Sequence, residues 1–128
     1  MKMANNQQMD LLKQGPQAWN AWRAEQTEVR VDLSGAALRG LDLEGADFSG
    51  ADLKDADLRG ANLSGANLKG AHLDGSNFFK VLIDGADLKE ADLRGVQFLQ
   101  CPQLVTARNW QSAYRDQDLA CGAEIPNR

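Results

Sequence analysis

Residues 31–100 read VDLSG AALRG LDLEG ADFSG ADLKD ADLRG ANLSG ANLKG AHLDG SNFFK VLIDG ADLKE ADLRG VQFLQ, fourteen five-residue units laid end to end without an insertion. The central residue of every unit is large and apolar, from Leu33 and Leu38 through Phe48 and Phe78 to Leu93 and Phe98. Two residues before it stands Ala in nine units, and Val31, Leu41, Ser76, Val81 or Val96 in the rest. The residue between is Asp or Asn in ten units, and the last residue is Gly in ten.

A period of five is neither helical nor strand-like, so one long helix or strand would smear the apolar residues over every side. Within a unit, however, Ala-x-Leu alternates as a strand does. Both apolar side chains point one way and the middle residue points the other. The x-Gly that follows turns a corner, because Gly tolerates backbone angles that other residues avoid. A single unit cannot bury its two apolar groups. A stack of coils built from such units encloses a continuous core, which is the logic of a solenoid.

The units resemble the pentapeptide-repeat family, whose motif is A-(D/N)-L-x-x; Ala-Asp-Leu-Arg-Gly stands verbatim at 56–60, and the match covers 70 of 128 residues. The resemblance implies an all-β solenoid, a right-handed quadrilateral β-helix in which four units close one coil. Residues twenty apart then stack, in about 3.5 coils and a rod about 17 Å long. Trp-Asn-Ala-Trp-Arg at 19–23 is similar to leaders of bacterial members of that family.

Three segments follow: a helical leader at 1–30, the repeat at 31–100, and a helical cap and tail at 101–128. Residues 1–8 are polar and read as frayed. A short helix with Leu11 and Leu12 is expected at 9–14 and a second at about 17–26, with Gly15-Pro16 between them. Trp19 and Trp22 lie three apart and share a face, suited to covering the open end of the first coil or to meeting a partner. Cys101-Pro102 stops the repeat. From 104 to 119, Leu104, Ala107, Trp110 and Tyr114 fall on one helical face, so a C-terminal helix is expected there, anchored by Trp110 and Tyr114.

The chain carries net charge −4, which opposes non-specific binding to nucleic acid. It has no apolar run long enough to cross a membrane, and its first residues lack the hydrophobic stretch of a secretory signal. A cytoplasmic location is expected, with Cys101 and Cys121 as free thiols; a bridge between them is the alternative. Two cysteines and one histidine fall short of a zinc site, and no cofactor or metal is implied. His72 reads as a solvated residue in a slot that usually holds Asp or Asn. The many aspartates mark the polar position of the repeat rather than a catalytic site, which needs convergent groups in a concave pocket.

Stacking units four apart gives four faces with charges of −3, +2, −3 and −1. The third is an acidic face of Asp42, Glu44 and Asp84. The second carries the column Arg39, Arg59, Phe79, Leu99, grading from basic to apolar, with Phe78 and Phe98 expected to stack in the core behind it. This column reads as a partner-binding stripe, or as ground over which the C-terminal helix folds.

The function these residues support is a non-enzymatic scaffold or protein-interaction module with another protein as partner, the chain being a monomer or a homodimer through its C-terminal end. The resemblance implies an alternative, since some pentapeptide-repeat proteins are dimeric rods that mimic acidic B-DNA and bind DNA gyrase, conferring resistance to gyrase poisons. This repeat is short, carries a basic face and has no inserted loop.

Overall fold

A computed structural model of the chain describes residues 5–127. Each unit from 31 onward contributes one residue to a parallel ladder, and the ladder pairs residues twenty apart: Asp32 with Asp52, Asp52 with His72, His72 with Asp92. Four five-residue units therefore close one coil. Leu33 N–H donates to Asp52 O at 2.8 Å, and Asp52 N–H to Val31 O at 2.9 Å. The corner closes where Ala36 N–H meets Leu33 O at 3.0 Å, with Gly35 at φ 68°. A turn of this kind demands a left-handed third residue. Asp55, Lys80 and Glu90 occupy that position where other units have Gly, at φ 57°, 59° and 57°.

The aspartates and asparagines at the middle position have a definite task. In all ten units that carry one, its Oδ1 accepts the backbone N–H two residues on, at 3.0–3.3 Å. This local bond fixes the approach to the corner. Ala37, His72, Leu82 and Gln97 have no side chain suited to it. The inward Ala and central residues form one buried column, with Leu33, Phe48, Leu63 and Phe78 fully enclosed.

The first coil leaves an unpaired edge, and two helices lie against it. These are α1 (Asn6–Lys13) and α2 (Pro16–Glu25). Side chains take the place of a neighbouring strand. Gln8 donates through Nε2 to Arg30 O and accepts Asp32 N–H, both at 2.8 Å. Asn20 does the same with Gly45 O and Asp47 N–H, at 2.9 and 2.8 Å. Trp19 is fully buried, its Nε1–H on Asp47 O at 2.8 Å and its ring 5.6 Å from that of Phe48. The expected fraying of 1–8 is corrected over 5–8: Asn5 caps α1 and Gln8 is 2% exposed, because the coil edge needs its amide. Residues 1–4 lie outside the described residues.

The C-terminal segment departs furthest from expectation. No helix runs from 104 to 119. A short helix, α3 (Cys101–Leu104), gives way to a further stretch of ladder. Arg108 N–H donates to Ala86 O and Leu88 N–H to Arg108 O; Tyr114 N–H donates to Ala91 O and Leu93 N–H to Tyr114 O. Leu104, Ala107, Ala113 and Leu119 turn into the core. The solenoid thus continues beyond 100 without the motif, at an offset of 21–22 residues. The open edge of units 81–95 selects backbone pairing over helix, and the helical spacing of Leu104, Ala107, Trp110 and Tyr114 is incidental. Trp110 and Tyr114 are half-buried, and the Trp110 ring lies 5.2 Å from the Arg115 guanidinium.

Arg115 organises this end. It is buried and donates to the carbonyls of Gln111, Ala113, Leu119, Ala120 and Glu124 at 2.7–3.2 Å. Burial pushes its guanidinium below the ordinary arginine value. Cys101 and Cys121 form a disulfide with Cα atoms 5.5 Å apart, correcting the expectation of free thiols. Their twenty-residue separation is close to the 21–22-residue offset of this last coil, so the fold itself brings them together.

Candidate partner-binding face

The second face is built from the corners of units 36–40, 56–60, 76–80 and 96–100. Arg39 is exposed and makes no ion pair among the described residues. Arg59, on the next coil, grips Asp57 with both Nε and Nη2, at 2.8 and 2.7 Å. That bonded guanidinium holds the Asp57 carboxyl below the usual carboxylate range despite slight burial, and Arg39 adds to the effect. Phe79 follows, 46% exposed, its backbone N–H on Asn77 Oδ1. Lys80 sits in the left-handed corner with its ammonium 5.3 Å from the Phe79 ring centre.

The last unit corrects the expected column. Phe98 does not stack on Phe78 in the core. It turns outward at φ 61° and is 64% exposed, while Leu99 is 7% exposed and takes the inward place. Two causes are local. Gln97 lacks the short side chain that fixes the corner in other units, and the unit has no Gly to make the turn. The chain bends early and the register slips by one residue. The stripe is therefore Arg39, Arg59, Phe79, Phe98, and the Phe79 and Phe98 rings meet edge to face at 5.7 Å. No helix folds over them: α3 ends at Leu104, and Gln103 instead donates its Nε2–H to Phe78 O and Val81 O at 3.1 and 2.6 Å.

Two shallow depressions flank the rings. One of about 300 Å³ is lined by Phe79, Lys80, Phe98, Gln100, Pro102 and Gln103. The other, about 270 Å³, is lined by Arg39, Arg59, Gly60, Phe79 and Lys80. Phe79 and Lys80 line both, so the two lie side by side along this face and together make up its trough. The ring side of this trough offers Lys80 beside two aromatic rings, and the other side offers Arg39 and Arg59.

On the third face Asp42, Glu44 and Asp84 are all exposed, and Asp42 is engaged with Glu44 N–H at 3.1 Å. Leu82 stands among them, 53% exposed. On the first face, donor atoms of His72, Asp74 and Asp92 lie within 4.8 Å of one another. Arg94 already bonds both Asp92 oxygens, at 2.9 and 2.7 Å, while Asp74 Oδ1 is buried without a hydrogen-bond partner among the described residues. Sequence reasoning missed Phe98, Gln103 and Arg115. The absence of both Asp/Asn and Gly from unit 96–100 is the signal that finds Phe98; Gln103 and Arg115 act on distant carbonyls and carry no local signal.

A family model for pentapeptide repeats, eight copies long, matches residues 29–65 and 56–95. Among solved structures, the chain is similar to a pentapeptide repeat protein of the Arabidopsis thaliana thylakoid lumen, at 30% identity and TM-score 0.43, over 76% of this chain and 65% of that one. It is similar to HetL, a pentapeptide repeat protein involved in heterocyst differentiation regulation in the cyanobacterium Nostoc, at 29% identity and TM-score 0.37, over 68% of this chain and 39% of that one. A second Nostoc pentapeptide repeat protein aligns at 30% identity and TM-score 0.36, over 84% and 85%. The chain spans less than two thirds of the length of the first two. No curated protein matches it.

Proposed function

We propose that this chain, which belongs to the pentapeptide-repeat family, is a non-enzymatic interaction module whose Arg39, Arg59, Phe79 and Phe98 face binds another protein. The family's right-handed quadrilateral β-helix is a rigid support with a filled core, and binding falls to its outward columns. The observation that carries the reading is the pair of exposed rings, Phe79 and Phe98, set edge to face beside an arginine column. Aromatic and arginine side chains dominate binding hot spots, where truncation costs about 2 kcal/mol or more. Capture from the source cell should fail with Phe79→Ser, while its thermal stability stays within about 1 kcal/mol of the parent. Undiminished capture by the variant would remove the reading.

The acidic third face supports a second reading, binding to DNA gyrase by mimicry of DNA. It requires that purified protein inhibit or protect gyrase and that Glu44→Gln weaken the effect. The disulfide favours a working location where such bridges persist, in place of the reducing cytoplasm.

A further inference from the structure

Resting on the binding reading of the second face, we infer that its occupant is a short extended acidic segment of the partner, carrying one aromatic or large aliphatic anchor. Three observations lead to this occupant.

The first is charge. The second face is net positive, whereas the other three are net negative. Arg59 is committed to Asp57; among the described residues Arg39 makes no ion pair and the Lys80 ammonium makes none either, lying 5.3 Å from the Phe79 ring centre. Two cations thus stand open to a carboxylate, one on each side of Arg59. The second is the sequence of chemistry along the trough. It runs from Arg39 past Gly60, which puts no side chain in the way, to the Phe79 and Phe98 rings. An occupant lying along it meets Arg39 at one end and, at the other, an apolar seat with Lys80 beside it.

The third is size. Arg39, Arg59, Phe79 and Phe98 stand on successive coils, and three spacings of about 4.8 Å make about 14 Å. An extended chain advances about 3.3 Å per residue, so about four residues span the site. The carboxylate therefore lies two to four residues from the anchor. The same dimensions disfavour a broad partner. A face about 10 Å wide and about 15 Å long offers under about 200 Å², against about 800 Å² per partner in a stable interface between folded proteins. Rings beside cations suit nucleic acid too, but the acidic faces on either side repel a phosphate backbone.

The test screens the purified chain against an immobilised library of random heptapeptides. The bound set should be enriched in Asp or Glu placed two to four residues from Phe, Trp or Leu. Arg39→Ala and Phe79→Ser should each weaken the best enriched peptide at least tenfold, and Glu44→Gln on the third face should leave it unchanged. Arg39→Glu should move the enrichment toward Lys and Arg. The inference is overturned if no acidic enrichment appears, or if Arg39→Ala and Phe79→Ser bind as the parent does. It is also overturned if a labelled 15-mer of oligothymidylate binds in a Phe79-dependent way instead, or if Arg39→Glu abolishes a concentration-dependent self-association. Cellular capture separates the two levels. A partner lost with Phe79→Ser but no acidic enrichment removes the peptide and keeps the binding face. If capture and library are both indifferent to Phe79→Ser, both fall.

Discussion

Units 41–70 and units 76–100 are built on the same five-residue plan, yet only the second stretch puts aromatic rings in water. In the first, every middle residue is Asp or Asn and closes its corner through Oδ1, every centre is buried, and every outward residue is polar or Gly. In the second, Leu82 and Gln97 abandon that bond, Lys80 and Glu90 replace the corner Gly, and Phe79, Leu82 and Phe98 face outward. The regular stretch meets the requirements of the coil from within each unit, Asp55 being its one corner without Gly. The irregular stretch fills the core with Phe78, Ile83, Leu88, Leu93 and Leu99 and leaves three more large apolar groups outside. A local conflict with an otherwise consistent pattern is where a specification other than folding is to be sought.

The largest effect should come from the regular stretch. Leu63→Ala opens a cavity in a fully packed column and should lower unfolding free energy by about 2–5 kcal/mol in urea denaturation. Asn62→Ala, next to it, removes only the bond to Ser64 N–H and should cost about 1 kcal/mol. Equal losses would break the assignment of inward and outward positions.

The next test concerns the irregular end. The Cys101–Cys121 bridge closes a twenty-residue loop over the last coil. Reduction should lower stability by about 3 kcal/mol, the scale expected for a loop of this size. Hydrogen exchange should accelerate at 104–121 while 41–70 stay protected. Uniform loosening along the rod would mean that the two stretches do not differ in how they are held.

A smaller effect tests the corners. Glu90 occupies a left-handed position at φ 57° that Gly fills in most units. Glu90→Gly should raise stability by about 1 kcal/mol, because it relieves a conformation costly to L residues. The reverse change, Gly45→Ala at φ 70°, should lower it by a similar amount. Thermal unfolding of the two variants in parallel reads both signs.

Most of the fold from 31 to 95 is legible in the sequence because everything a unit needs lies within it. The core pair, the corner-closing Asp or Asn, and the left-handed Gly are all present in five residues. The identity of the binding column is legible only in part. Arg39, Arg59 and Phe79 follow from the period, but the exchange of Phe98 for Leu99 does not; its signal is the absence of both Asp/Asn and Gly from unit 96–100. The C-terminal coil is illegible for a different reason. Arg108 and Tyr114 enter the ladder through their backbone N–H and C=O groups, a pairing that any residue type can make and that none announces. Arg115 acts likewise on carbonyls, and a helical period in the same stretch points the wrong way. The disulfide has a signal in its spacing of about one coil, but that spacing becomes informative only once the chain beyond 100 is seen to continue the solenoid.

The account turns on Phe98, the residue that the repeat assigns to the core and the structure assigns to the surface. Binding of the captured partner to Phe98→Ser, with the melting temperature taken on the same sample, tests it most directly. The prediction is at least a tenfold loss of affinity with the melting transition kept, because a 64%-exposed ring contributes little to folding. Unchanged binding, or a melting transition that collapses as a core truncation would make it, would contradict the account.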